Sequence, residues 1–249
     1  MLTETIEQLR AIALAADDAS GYFPAMYARV TARIEEAARS RAFEDGTRME
    51  AFARAFARWY VEPASGRTAA TGAGTTGPAP GCWRASFDVA ADGSLLIVQH
   101  LLLGINAHVN HDLPQVAVEL APDAASLAGL RGDFDAVNDI LAATMPDVLH
   151  SLSLVSRWVN VAAARGGRRL FDFSLRAARA QAWSAAERLC ALDAAGRAAD
   201  VRELDRLVCV LARLIAAPGA PASWVVAVGR RLETRDPAVV TRQLLGDLA

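Results

Sequence analysis

Residues 94–119, SLLIVQHLLLGINAHVNHDLPQVAVE, constrain the fold more than any other part of the chain. At about 100° per residue on a helical wheel, His100, Gly104, Ala107, His108 and His111 fall on one narrow face, with Asp112 at its margin. Leucine, isoleucine and valine cover almost all the rest. A helix that is apolar nearly all round belongs inside a bundle. Its polar stripe is then buried as well, and each imidazole needs a partner. We therefore expect an all-α, single-domain multi-helix bundle over residues 1–249, organised around a buried central helix at about residues 94–112.

The flanking sequence reads as helix on both sides. Apolar residues recur at helical spacing over Thr3–Ala16, from Phe23 to about Arg41, and over Arg48–Val61. Residues 63–81, PASGRTAATGAGTTGPAPG, shift abruptly to Gly, Pro, Thr and Ala and are expected to form a long surface loop, with a lid as one use for it. Asp133 is placed to cap a helix carrying Phe134, Val137, Ile140 and Leu141, and Pro146 to open another. Three more helical patterns follow, over Leu170–Leu192, Val201–Ala216 and Trp224–Leu232. No strand-like alternation of convincing length appears.

Several function classes drop out on composition. A net charge of −2 and a pI near 6.1 give no electrostatic reason to expect nucleic acid or an anionic membrane. All 26 basic residues are arginine, so neither Schiff-base chemistry nor a phosphate-loop lysine is available. Three scattered cysteines, Cys82, Cys190 and Cys209, fit neither a disulfide framework nor a thiolate zinc site, and suit the reducing cytoplasm. The first helix-patterned segment is acidic and unlike a signal peptide. The longest apolar run is interrupted by Gln99, His100, Asn106 and His108, short of a membrane span of roughly 20 residues.

At HLLLGINAHVNHDL the chain resembles a family of bacterial helical proteins known only as a domain of unknown function, with the pattern H-L-L-L-G-[IM]-N-A-H-[IV]-N-x-D-L. His100, Gly104, Asn106, His108, Asn110, Asp112 and Leu113 match it, and His111 stands at its free position. The likeness extends to FPAMYARVT, MEAFARAFARWY, DFDAVN and RAQAW, and so covers most of the chain. It implies a helical fold and no activity.

Chemistry has to come from the residues. His108 and Asp112 stand at i and i+4, the spacing that stacks two ligands on one helix face, and His111 is close enough to join them. His100 lies eight residues before His108, about 12 Å along a straight helix. That is too far to share one ion with it. If a divalent metal binds, zinc, iron or manganese would suit the imidazoles of His100 and His108, the Asp112 carboxylate, and Asp135 with Asp139 from another helix. Without metal, His108 paired with Asp112 makes a general base whose pKa the carboxylate raises. Asn106, Asn110 and Asn138 would line the pocket. Two simpler roles compete: Asp112 as helix cap with Gln115 at N3, and histidines tied to backbone carbonyls. The expectation is a metal-dependent or His/Asp acid/base enzyme with His108, Asp112 and His111 at its centre. Its reaction would most plainly be hydrolysis of a small or partly apolar substrate. The alternative is a non-catalytic helical module whose histidines line a polar ligand- or partner-binding pocket.

Overall fold

The computed structural model describes residues 1–68, 79–159, 167–220 and 222–248. Among these, eleven α-helices carry the architecture, and the only extended pairing is an isolated bridge between Ser156 and Glu233. In chain order they are α1 (Thr3–Ala15), α2 (Tyr22–Arg39), α3 (Gly46–Thr68), α4 (Gly81–Asp88), α5 (Ile97–Ala107), α6 (Leu113–Leu120), α7 (Ala124–Val155), α8 (Gly167–Ala191), α9 (Ala194–Ala216), α10 (Ala222–Gly229) and α11 (Pro237–Leu245). The expected all-α fold is observed. No helix among the described residues is long and apolar enough to cross a membrane.

The central stretch is not one helix. It runs as α5, then a turn of π-helix over His108–Asp112, then α6. The backbone N–H of Leu113 reaches the carbonyl of His108, an i→i+5 bond that widens the turn by one residue. Pro114, which has no N–H to give, starts α6 at a position where none is needed. The cap expected of Asp112 does not form: its carboxylate is engaged elsewhere, and Gln115 Nε2 donates to the His111 carbonyl at 2.9 Å.

Other boundaries also shift. α7 starts at Ala124, capped by Asp123, which accepts from Ala125 N and Ser126 N. It passes through Gly132 and Pro146 without ending. Asp133 is thus inside a helix, buried, and takes the backbone N–H groups of Glu44 and Asp45 and the guanidinium of Arg48 instead of capping. Likewise α3 carries Pro63 inside it and continues to Thr68, so the expected 63–81 loop is helix at both ends; residues 69–78 lie outside the described residues.

Two large apolar clusters, with a small third around Leu95, Leu103 and Ala212, fill the interior. One joins α1, α2, α3, α4, α5, the second half of α7 and α11; the other joins the end of α2, the start of α3, α6, the first half of α7 and α8. The π-turn packs against α3, α8 and α9. α5 approaches α2 closely at Gly104, where a Cβ would stand 2.5 Å from the Phe23 ring.

Candidate functional site

Asp112 is the hub. It is 0% exposed, and both its oxygens are occupied. Oδ2 accepts from Trp83 Nε1 at 2.9 Å and faces His108 Nδ1 at 3.0 Å, while Oδ1 faces His111 Nδ1 at 2.7 Å. The widened π-turn is what lets one carboxylate meet two imidazoles from its own segment, at i−4 and i−1. With Asp112 accepting, each ring gives Nδ1–H to it; His108 Nε2 is then left without a protein partner, while His111 Nε2 has the Gln115 side-chain amide at 3.4 Å.

His108 lies in an aromatic cage. Its ring stacks on Phe56, centroids 3.6 Å apart and 8° from parallel, with Tyr27 edge-on at 4.7 Å and Phe23 at 5.6 Å. Its Nε2 is buried and has no hydrogen-bond partner in the protein. The ring forms part of the wall of a cavity of about 120 Å³ lined by Phe23, Met26, Tyr27, Phe52, Phe56, Ile105, Phe134, Met145 and other apolar side chains. Burial lowers the His108 pKa and outweighs the opposing pull of Asp112, the reverse of the raised value expected from the pair alone. Burial, and then Asp112, push the Tyr27 hydroxyl well above its usual range.

On the other side of Asp112 a second group converges. One ligand atom each from Cys82, His111 and Asp205 lie within 4.8 Å of one another. Asp205 Oδ2 and Oδ1 accept the backbone N–H groups of Gly81 and Cys82 at 3.0 and 2.9 Å, which anchors the start of α4 on α9. Gly81 is required for that approach, since a Cβ there would stand 2.8 Å from Asp205 Oδ2 and 3.0 Å from Cys209 Sγ.

The remaining sequence candidates go elsewhere. His100 packs edge-on against Tyr22 at 5.8 Å, has the backbone of Asp92 as a hydrogen-bond partner, and borders a separate cavity of about 380 Å³ with Asp17, Asp18 and Arg230. Burial, then Arg230, lower its pKa to about 4. Asp135 and Asp139 pair with Arg131 and Arg176 on the outside of α7, their side chains 47% and 83% exposed. The five-residue metal set expected from the sequence therefore does not converge, because Asp135 and Asp139 sit on the solvent side of α7 and His100 faces the far end of α5. Asn106 Nδ2 donates to the Val208 carbonyl and Asn110 Nδ2 to Asn106 Oδ1, which ties the central stretch to α9. Asn138 Oδ1 accepts from Arg179 Nε. His150 is exposed on α7. Sequence reasoning missed Trp83, Cys82 and Asp205. Trp83 lies 29 residues before Asp112 and Asp205 lies 123 after Cys82, separations that no helical spacing encodes.

A family model described as a family of unknown function (DUF5995) matches residues 2–218, and the chain belongs to that family. No curated protein and no solved structure matches it.

Proposed function

Taking membership of a family without an assigned activity as the premise, we propose that the chain is an acid/base enzyme for a small, largely apolar substrate. His108 is its general base, and Asp112 is the group that orients it. One observation carries this reading: His108 Nε2 is a buried acceptor without a protein partner, on a ring that walls a mainly apolar cavity. An unpaired buried acceptor costs about 1–3 kcal/mol. A substrate hydroxyl or an attacking water that donates to it recovers that cost.

For hydrolysis of an apolar ester the step balances simply. Nε2 takes a proton from water as the water oxygen attacks the carbonyl carbon, and returns it to the departing alkoxide, so the imidazole ends neutral. Asp112 holds Nδ1–H, fixing both tautomer and ring orientation. Because burial lowers the His108 pKa, the base is available at neutral pH and below.

The second reading, a non-catalytic binder of a small apolar ligand with one hydrogen-bond donor, is favoured by a different observation. The Thr31 and Thr144 hydroxyls at the cavity donate to carbonyls of their own helices, and Arg179 Nε and Nη2 are committed to Asn138 and the Phe134 carbonyl. Few donors are left to stabilise an oxyanion.

Hydrolysis of p-nitrophenyl esters of graded chain length, together with binding of an apolar phenol, tests both readings. Esterase activity should fall by about 100-fold or more in His108→Ala. It should be flat through neutral pH and decline only below the ordinary imidazole range of about 6.5. Phenol binding without turnover, lost in His108→Ala, would support the binder. Neither activity nor a His108-dependent binding signal in a folded protein would overturn both.

A further inference from the structure

We propose that Cys82, His111 and Asp205 form a binding site for one zinc ion, held between the start of α4, the π-turn and α9. The three donors differ in kind, and together they suit a borderline-soft divalent cation: a thiolate, a neutral imidazole nitrogen and a carboxylate. Their ligand atoms lie within 4.8 Å of one another, against the roughly 3.4–3.8 Å that tetrahedral zinc bonds of about 2.1–2.3 Å impose. Each Asp205 oxygen accepts one amide and keeps a second lone pair for the ion, and the side chain is only half-buried, so a small inward shift of the three donors supplies the difference. Three protein donors leave a fourth position for water, the arrangement of a reactive rather than a purely structural zinc.

Charge and orientation argue the same way. Among the described residues neither Asp112 nor Asp205 pairs with an arginine, although arginine is abundant, and Asp112 is met by the Trp83 indole N–H and the two imidazoles alone. A divalent cation would neutralise a thiolate and a carboxylate in a place where burial makes unbalanced charge costly. His111 already gives Nδ1–H to Asp112 at 2.7 Å, and its Nε2 has only a long 3.4 Å contact with the Gln115 amide, whose better partner is the His111 carbonyl at 2.9 Å, so Nε2 can turn to the ion. Most metal-binding histidines are oriented in this way by a carboxylate, which also makes the imidazole a better donor. Zinc takes sulfur as the thiolate, whereas an unligated thiol is mostly protonated at neutral pH. Zinc binding then expels one proton from sulfur, and affinity rises with pH. His111, which would hold the ion, and His108 meet opposite oxygens of the Asp112 carboxylate, so that carboxylate links the two sites.

This site does not rest on the proposed activity, and the two fail separately. His108→Ala should leave zinc binding in place.

The test is direct titration of the purified, chelator-treated chain with zinc, and with cobalt as a spectroscopic substitute. One equivalent should bind, and cobalt should give a thiolate charge-transfer band together with the intense visible bands of a tetrahedral site. Cys82→Ala should abolish the charge-transfer band. Asp205→Asn, which keeps the size of the side chain and one of the two acceptors for the Gly81 and Cys82 amides, should weaken zinc by more than the roughly 10–100-fold that loss of a merely orienting partner costs. Cys190→Ser should change neither. Substoichiometric binding by the wild-type chain, a cobalt spectrum without sulfur ligation, or a charge-transfer band that survives Cys82→Ala would each overturn the proposal. The wild-type spectrum decides the matter even if a variant fails to fold.

Discussion

The four histidines have four surroundings, and two of them show how little a residue type says by itself. His108 and His100 are both buried and both held neutral, yet His108 keeps a free nitrogen beside a cavity, whereas His100 borders a different cavity and leans on the backbone of Asp92. His100 therefore belongs in a stability argument. Its folded pKa is lowered to about 4, below the roughly 6.5 of an unfolded chain. Between those values the unfolded state binds the extra proton, so His100 contributes stability that is fully present above about pH 6.5 and is lost as pH falls towards 4. The full shift amounts to roughly 3 kcal/mol. Unfolding followed from pH 7 to 4 should show that loss in the wild type, and His100→Gln should remove it. Identical pH slopes in the two proteins would exclude a buried neutral His100.

At the scale of elements, the decisive features are a close crossing and a widened turn. Gly104 lets α2 press Phe23 onto α5, and Phe23 in turn packs edge-on against His108 at 5.6 Å. In an unconstrained helix, alanine for glycine adds about 1 kcal/mol of stability. Here the added Cβ would meet Phe23 at 2.5 Å, and overpacking of this sort costs typically 1–3 kcal/mol. Gly104→Ala should thus destabilise the chain in a denaturant titration, and a gain would contradict the crossing. Much of this level was legible in the sequence. The apolar stretch with its histidines gave the central segment, and the i, i+4 pair gave His108 with Asp112. What periodicity does not encode is where tertiary partners override local signals. Asp123 and Asp133 each precede an apolar helical run, and only Asp123 caps; Asp133 is drawn instead to two amides and Arg48 at the start of α3. Pro146 reads as the start of a new helix, yet the packing of α7 against α2, α8 and α11 carries one helix through it and through Gly132. The π-turn has no sequence signature of its own, and the meeting of Cys82, His111 and Asp205 depends on three separate elements.

At the scale of the whole molecule the question is whether the segment beyond the family match belongs to the same folding unit. The match ends at residue 218, but Glu233 accepts from the Ile97 amide at the start of α5 and from Ser156 after α7, and Thr234 N donates to the Val155 carbonyl. α11 then packs on α1, α2 and α7, with Val240, Leu244 and Leu245 all buried. Burying three aliphatic side chains is worth roughly 2 kcal/mol each. Their total is a large share of the about 5–15 kcal/mol that separates a folded domain from its unfolded chain. Removing the segment would also leave the Ile97 amide without its acceptor. We therefore expect the chain to unfold as one cooperative unit, with calorimetric and van't Hoff enthalpies in agreement. A chain ending at residue 218 should either fail to fold or melt at least about 10 °C lower. A truncated chain that melts like the full one would make residues 219–249 a separable appendage and would end the single-unit reading, whatever the fate of the site around Asp112.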